Sequence, residues 1–359
     1  MTTLFDPLAL RDVTLRNRVA MSPMCTYSCE ARDGHATDWH LHHLAARAAG
    51  GVGLVIAEAT AVAARGRISP EDLGLWDDAQ VGPLRRVSRA VRSQGAAFAV
   101  QLAHAGRKAG TYRPWAGAHG VATHADGGWA DDVVGPTGDR FSEATATPTA
   151  LDGHGVAGVV DAFAAAAQRA DAAEVDAVEI HAAHGYLLHS FLSPLVNDRR
   201  DAYGGEEAGR SRLLLEVVEA VRGVWPDTKP LLVRISATDW AEGGWDADAS
   251  VRLARELAAR GVDLVDCSSG GAVAGVRIEA RPHYQVGFAE RVRREAGVAS
   301  GAVGLITDPH AAAAIVAEGR ADLVLLGKAL LRDPYWALHA ARALGAAPPW
   351  PPQYGWAVG

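Results

Sequence analysis

Cysteine is scarce: Cys25, Cys29 and Cys267 are the only three in 359 residues. Their number is odd and their spacing fits no common metal site, so neither a disulfide framework nor a thiolate-held metal is expected. Three thiolates also fall short of the four that an iron–sulfur cluster usually takes. An uninterrupted apolar run of about 18 residues is missing, and with it any expected transmembrane helix. The start, MTTLFDPLALRDVTLRNRV, lacks the basic-then-apolar order of a secretory signal. A reducing cytoplasm is the expected setting. Positive charge is in deficit as well. A net charge of −7 and a pI near 6.0 give no reason to expect nucleic acid or an anionic membrane as partner.

Two familiar phosphate cradles are absent. No G-x-G-x-x-G follows a strand, since GGVG (50–53) has the wrong spacing and precedes its strand. GKAL (327–330) lacks both the upstream glycine and the following Ser or Thr of a P-loop. No stretch rich in Pro, Gly and Ser divides the chain, which reads as one domain over residues 1–359.

What is present is a repeated local unit: an Ala-rich amphipathic helix, a Gly or polar turn, a short aliphatic run, then small or polar residues. Aliphatic runs at 17–23, 50–60, 96–106, 174–184, 230–239, 261–271, 298–308 and 319–329 supply eight candidate strands. Their near-continuous apolar character suits parallel strands covered on both faces. Helical stretches at about 39–49, 77–94, 154–173, 211–224, 248–260, 286–296, 308–318 and 330–344 alternate with them. Eight strand–helix pairs favour an α/β fold of the (β/α)8 TIM-barrel type over an open sheet. The Gly/Trp/Asp-rich segment 109–148 interrupts the pattern after the third strand, where barrel enzymes build lids. At the other end, 346–359 reads as an extended arm: PPWPP (348–352) cannot form helix, and QYGWAVG is too short to build structure of its own.

Barrel active sites sit at the C-terminal ends of the strands. Those ends deliver Ser22, Pro23, Met24, Cys25 and Tyr27, then Ala59, then Gln101, His104 and Lys108. His181, His184 and Tyr186 follow the fourth strand, Arg234 lies on the fifth, Ser268 ends the sixth, and Gly304, Gly327 and Lys328 close the ring. The set is rich in donors and poor in carboxylates. One reading makes His181 and His184 metal ligands in a TIM-barrel hydrolase, with Glu179 or His104 as a third ligand. The histidines of DWHLHH (38–43) lie on a helix and are poor partners for them. A second reading makes them satisfied core or loop residues. The third aims both imidazoles at one carbonyl or nitro oxygen, with Tyr186 as a nearby proton donor. No side chain supplies hydride, so this last reading implies a redox cofactor. The glycines ending strands seven and eight fit the phosphate site that barrels build there. Flavin mononucleotide would suit it, with Arg234 near the flavin nitrogen that becomes anionic; the alternative for Arg234 is an internal salt bridge.

In combination, SPMCTYS, EATAV, GRISPEDLGLWDD, QLAHAGRKA, EIHAAHGYLLHSFLSPLVNDRRDAYGG, VRISATDW and DCSSG resemble the old yellow enzymes, FMN-dependent ene-reductases. The likeness is to the thermophilic-like and xenobiotic-reductase branch and runs through nearly the whole chain. It implies that Ser22, Pro23, Met24, Cys25, Ala59, Gln101, Arg234, Gly327 and Lys328 contact tightly bound FMN, joined by strand-end Ser268 and Gly304. Cys25 would tune the flavin. Tyr27 would touch substrate, His181 and His184 hold its activating oxygen, and Tyr186 protonate its α-carbon. NADPH or NADH would be the electron donor, and small α,β-unsaturated carbonyl or nitro compounds the substrates. The branch is expected to form homodimers or homotetramers, with Trp356 near a neighbouring subunit's site. Lys328 departs from the arginine usual in relatives. A non-catalytic flavin carrier is the remaining alternative.

Overall fold

The structure is a computed structural model and describes residues 2–357. Eight parallel strands close into a barrel: β1 (Val19–Met21), β2 (Leu54–Ala61), β3 (Ala97–Ala103), β4 (Ala177–Ala182), β5 (Leu231–Ser236), β6 (Leu264–Ser268), β7 (Ala299–Ala302) and β8 (Leu323–Leu326). Each pairs with its neighbours in sequence, and β8 returns to β1 through Val324 opposite Val19. Apart from the first residue of β3 and of β7, every strand position is buried. That is why the strands read as continuous apolar runs rather than alternating ones.

Alternation survives as a choice between two cores. Ala20, Leu54, Ile56, Ala99, Leu232, Leu264 and Leu323 fill the barrel interior. Val19, Val55, Phe98, Val100, Val178, Ile180 and Val233 face outward against the helices. Those helices are α1 (Asp38–Ala49), α2 (Val81–Ser93), α3 (Gly153–Ala172), α4 (Leu187–Leu192), α5 (Glu207–Val224), α6 (Ala247–Ala259), α7 (Val286–Arg291), α8 (Pro309–Ala317), α9 (Lys328–Arg332) and α10 (Trp336–Ala343). Side-chain caps fix several starts: Asp152 accepts from Gly155 N, Asp246 from Ala249 N, and Asp308 from Ala311 N ahead of Pro309.

Several boundaries differ from the sequence reading. The segment 77–94 begins with a 3-10 turn, Asp78–Gln80. The stretch 330–344 is broken into α9 and α10 around Pro334, which cannot continue a helix. Helix α4 was not foreseen, because six residues are too few for a helical period to stand out in the sequence. The tail also differs: Pro352–Ala357 forms a 3-10 helix rather than remaining extended, and Trp350 stacks on Tyr335 with ring centroids 6.3 Å apart. Residues 358 and 359 of the expected arm lie outside the described residues.

The loop 109–148 is built around short elements, including a 3-10 turn at His124–Asp126 and a two-residue pairing of Val134–Gly135 with Thr149–Ala150. Its Trp129 is held by Arg67, whose guanidinium lies 4.6 Å from that ring and 5.2 Å from Trp76. No helix among the described residues is long and apolar enough to cross a membrane.

An N-terminal hairpin, Leu8–Leu10 against Val13–Leu15, precedes the barrel. Leu8, Leu10 and Leu15 join the interior aliphatic cluster and stopper the end opposite the site. Arg11, in the hairpin turn at φ 49°, bonds Asp263 at 2.7 Å. Leu15→Ala should therefore destabilise the fold by about 2–4 kcal/mol, the usual result of emptying a buried leucine site. Urea unfolding checks this; a loss below about 1 kcal/mol would mean that the hairpin merely rests on the barrel.

Candidate active site

Above the aliphatic layers the barrel interior turns polar. Gln101, Glu179, His181, Arg234, Ser236, Asp266 and Ser268 all come from β3 to β6. Register aligns them: Gln101 lies opposite Glu179, His181 opposite Arg234, Arg234 opposite Asp266, and Ser236 opposite Ser268. Gln101 Nε2 donates to Glu179 Oε1 at 2.8 Å, and Arg234 Nε lies 3.1 Å from Asp266 Oδ2. Burial raises the Glu179 carboxyl, and the neighbouring Asp266 raises it further. Glu179 thus meets Gln101 inside the barrel through Oε1, while its Oε2 has no hydrogen-bond partner.

His181, His184 and Tyr186 converge at the end of β4. Ring centroids lie 5.1 Å apart for the two histidines, 5.0 Å for His181 and Tyr186, and 6.5 Å for His184 and Tyr186. Ala183 N donates to His181 Nδ1 at 3.2 Å. A neutral imidazole accepting there carries its proton on Nε2. The chain then turns through His184 at φ 60° and Gly185 at φ 72°. A Cβ on Gly185 would fall 2.0 Å from the Gly271 carbonyl oxygen, so glycine is required. Ser236 Oγ accepts from His184 N at 2.9 Å and donates to Gly270 O at 2.7 Å. Ser268 Oγ lies 2.8 Å from His184 Nε2.

Burial, and after it the Arg234 charge, push both histidines well below their ordinary value, so both are neutral. Burial and then Cys25 push the Tyr186 phenol up, which keeps its proton in place. Half-buried Cys25 is likewise raised, first by burial and then by Asp72 and Glu58, and stays a thiol. Tyr27 follows at φ 48°, its ring edge-on to Trp115 at 5.6 Å. Ala59 and Tyr186 line a small adjoining hollow.

Beside this cluster a cavity of about 350 Å3 opens, lined by Ser22, Pro23, Met24, His184, Arg234, Gly304, Gly327 and Lys328. These residues suit a flat, acceptor-rich cofactor ending in a phosphate. Buried Arg234 lines the cavity while its Nε has no well-aligned hydrogen-bond partner. Gly304 adopts φ 119°, where a Cβ would crowd Gln285 N at 3.1 Å. Cationic Lys328 and Arg332 stand at the same mouth. Arg234 thus forms the internal salt bridge with Asp266 and also lines the cavity. Ser268 reaches the site through His184, whereas Gln101 bonds Glu179 and lines no part of this cavity.

Two further candidates lie apart from this cavity. Trp356 is 89% exposed, its indole donates to Gln353 O at 3.1 Å, and it lines no part of this chain's own cavity. His104 turns away, its Nδ1 accepting from Gly106 N at 3.0 Å. Among the described residues no group of three His, Cys, Asp or Glu side chains is arranged to hold a metal ion. Ser236, Tyr284 and Arg332 were missed. Ser236 shares Arg234's strand face and was readable from alternation, whereas Tyr284 lies in a loop with no pattern.

Comparison with known proteins agrees with this geometry. The model of the NADH:flavin oxidoreductase / NADH oxidase family matches residues 3–346. An NADPH dehydrogenase of Geobacillus sp. (strain WCH70) is 47% identical over 96% of this chain and 95% of its own. An NADPH dehydrogenase of Bacillus subtilis (strain 168) is 44% identical over 98% and 99%. Among solved structures, morphinone reductase superposes with a TM-score of 0.79 at 30% identity, over 96% of this chain and 90% of that one. Morphinone reductase in complex with tetrahydroNAD gives 0.79 at 29%, over 98% and 94%. These relatives leave the metal-dependent hydrolase reading without support. The chain belongs to the NADH:flavin oxidoreductase / NADH oxidase family, the old yellow enzymes, and is an FMN-dependent NAD(P)H oxidoreductase.

Proposed function

We propose that the protein reduces C=C bonds activated by a carbonyl or nitro group. The observation that carries this is the neutral, donor-bearing pair His181 and His184 beside a protonated Tyr186. Bound FMN would supply hydride, drawn from NADPH or NADH, to the β-carbon of the alkene. His181 offers Nε2–H to the activating oxygen. With the Ser268 hydroxyl, 2.8 Å from His184 Nε2, acting as donor there, that ring's proton would sit on Nδ1 as the second donor. Two fixed donors stabilise negative charge as it develops on the oxygen. Tyr186 then delivers its phenolic proton to the α-carbon.

Arg234 would face the electron-rich edge of the ring, with Gly304, Gly327 and Lys328 around the phosphate and Ser22, Pro23, Met24, Ala59 and Gln101 along the cofactor. Cys25, uncharged, would tune the cofactor's potential, and Tyr27 would contact substrate. The loop 109–148 would act as lid.

His181→Ala or His184→Ala should each remove roughly 1.5–4 kcal/mol of transition-state stabilisation. The loss reads out as weaker binding of a saturated ketone together with lower kcat/KM for the enone. Activity abolished by a chelator but retained in these variants would revive the metal reading. Tyr186→Phe should slow enone reduction by ~100-fold or more, within the range for a lost general acid. Nitroalkenes should be less affected, because water can protonate a stabilised nitronate. An unchanged enone rate would remove Tyr186 from proton transfer.

We further infer a homodimer or homotetramer in which Trp356 docks at the rim of a neighbouring site. Its exposure, and that of Tyr354, supports the reading, since bare aromatics at a chain end are favoured interface anchors. Deleting residues 353–359 should raise KM while the barrel stays folded and holds FMN. A monomer in sedimentation with normal kinetics would defeat this arrangement.

A further inference from the structure

Lys108 takes no part in the chemistry described so far. It ends the 3-10 turn Gly106–Lys108 after β3, and its Nζ donates to the carbonyl oxygens of His184 and Gly271, both at 2.6 Å. The same Nζ lies 3.9 Å from the centroid of the Phe141 ring, which belongs to the long loop. An ammonium has three donors and no acceptor. Two carbonyls and the near face of Phe141 use all three, with the Tyr186 ring farther off at 5.6 Å.

The two carbonyls do not meet by accident. Gly185 and Gly271 are pressed together so closely that a Cβ on Gly271 would sit 2.6 Å from the His184 carbonyl. Oxygens aimed at one point repel unless a donor stands between them; burial and then the Arg107 charge pull Lys108 down to about 7, and its two carbonyl partners favour the charged form. His184 is itself in the left-handed region at φ 60°, a conformation that a residue with a Cβ keeps only when its surroundings impose it. Arg107 reinforces the arrangement next door, donating to Ala272 O at 2.5 Å with its guanidinium 5.6 Å from Phe141.

We propose that Lys108 is a positioning residue: it holds the His184 backbone in its substrate-facing turn and ties the loop to that same point through Phe141. The inference rests on reading His184 as a donor to the substrate's oxygen. Loop docking and the aim of the histidine then become one event. When Phe141 lifts away, the ammonium loses its third partner and the carbonyl clasp loosens. Substrate capture is therefore linked to loop closure by a residue that never touches the substrate.

Lys108→Met, which keeps the stem and removes the charge, tests this in the FMN-loaded enzyme. The Kd of cyclohexanone, a ketone that cannot be reduced at a C=C bond, should rise roughly 10-fold or more, as for loss of charged hydrogen bonds. The KM for cyclohexenone should rise in parallel while kcat at saturation changes by less than about threefold, the signature of lost uniform binding. Amide exchange at Asp139–Phe141 should accelerate. Phe141→Leu should weaken ketone binding in the same direction, and Phe141→Tyr, which restores a ring face, should recover it. The Phe141 pair decides the matter should Lys108→Met fail to fold. Normal ketone binding in Lys108→Met or Phe141→Leu, alongside lost binding in His184→Ala, would overturn the role of Lys108 and leave His184 in place. Normal binding in His184→Ala would instead overturn the reading on which this one rests.

Discussion

Closure of the sheet between β8 and β1 is the constraint on which everything else depends. Without the pairing of Val324, Leu325 and Leu326 with Val19, Ala20 and Met21, two bare edges would remain and the strand ends would not form a ring. With it, all eight C-terminal ends lie on one rim, and residues from β1, β4, β5, β7 and β8 line a single cavity. The hairpin leucines plug the opposite end, so the polar layer has only one mouth. Stability is concentrated in the aliphatic layers and the outer helix packing, which leaves the rim free to carry strained turns such as His184–Gly185.

The second determinant is desolvation. A rim exposed to water would hold histidines that titrate near neutrality and a cysteine able to ionise. Buried as it is, the rim holds neutral imidazoles, a protonated phenol and a thiol. The buried carboxylates each meet a donor on at least one side: Gln101 donates to Glu179 Oε1, Arg234 Nε lies 3.1 Å from Asp266 Oδ2, and Thr26 donates to Glu58 Oε2 at 2.5 Å. The site is thus a set of donors with few competing acceptors, which suits charge that develops on a bound oxygen rather than charge already present.

Much of this was legible in the sequence wherever function and local pattern coincide. EIHAAHGYLLH places the three convergent side chains His181, His184 and Tyr186 at one strand end, and alternation along VRIS puts Arg234 inside the barrel. Features made by distant partners were not legible. Lys108 stands in plain view after β3, yet its partners are a carbonyl after β4, another after β6 and a ring in the long loop. The hairpin was invisible because strands of three residues joined by Arg11-Asp12 carry neither length nor a glycine turn signal. The tail misled through composition: proline excludes an α-helix, but Pro352 can start the 3-10 turn that follows.

The uncharged state of Cys25 has a consequence for durability. Enones and nitroalkenes are conjugate acceptors, and thiolates add to them readily and irreversibly enough to poison an enzyme. Cys25 lies in the segment that follows β1, at the rim where such compounds are proposed to bind. A thiol held un-ionised by burial and by the nearby Asp72 and Glu58 is a poor partner for that addition. The burial and neighbouring carboxyls that hold the sulfur un-ionised therefore also protect it from being consumed by the compounds proposed as substrates.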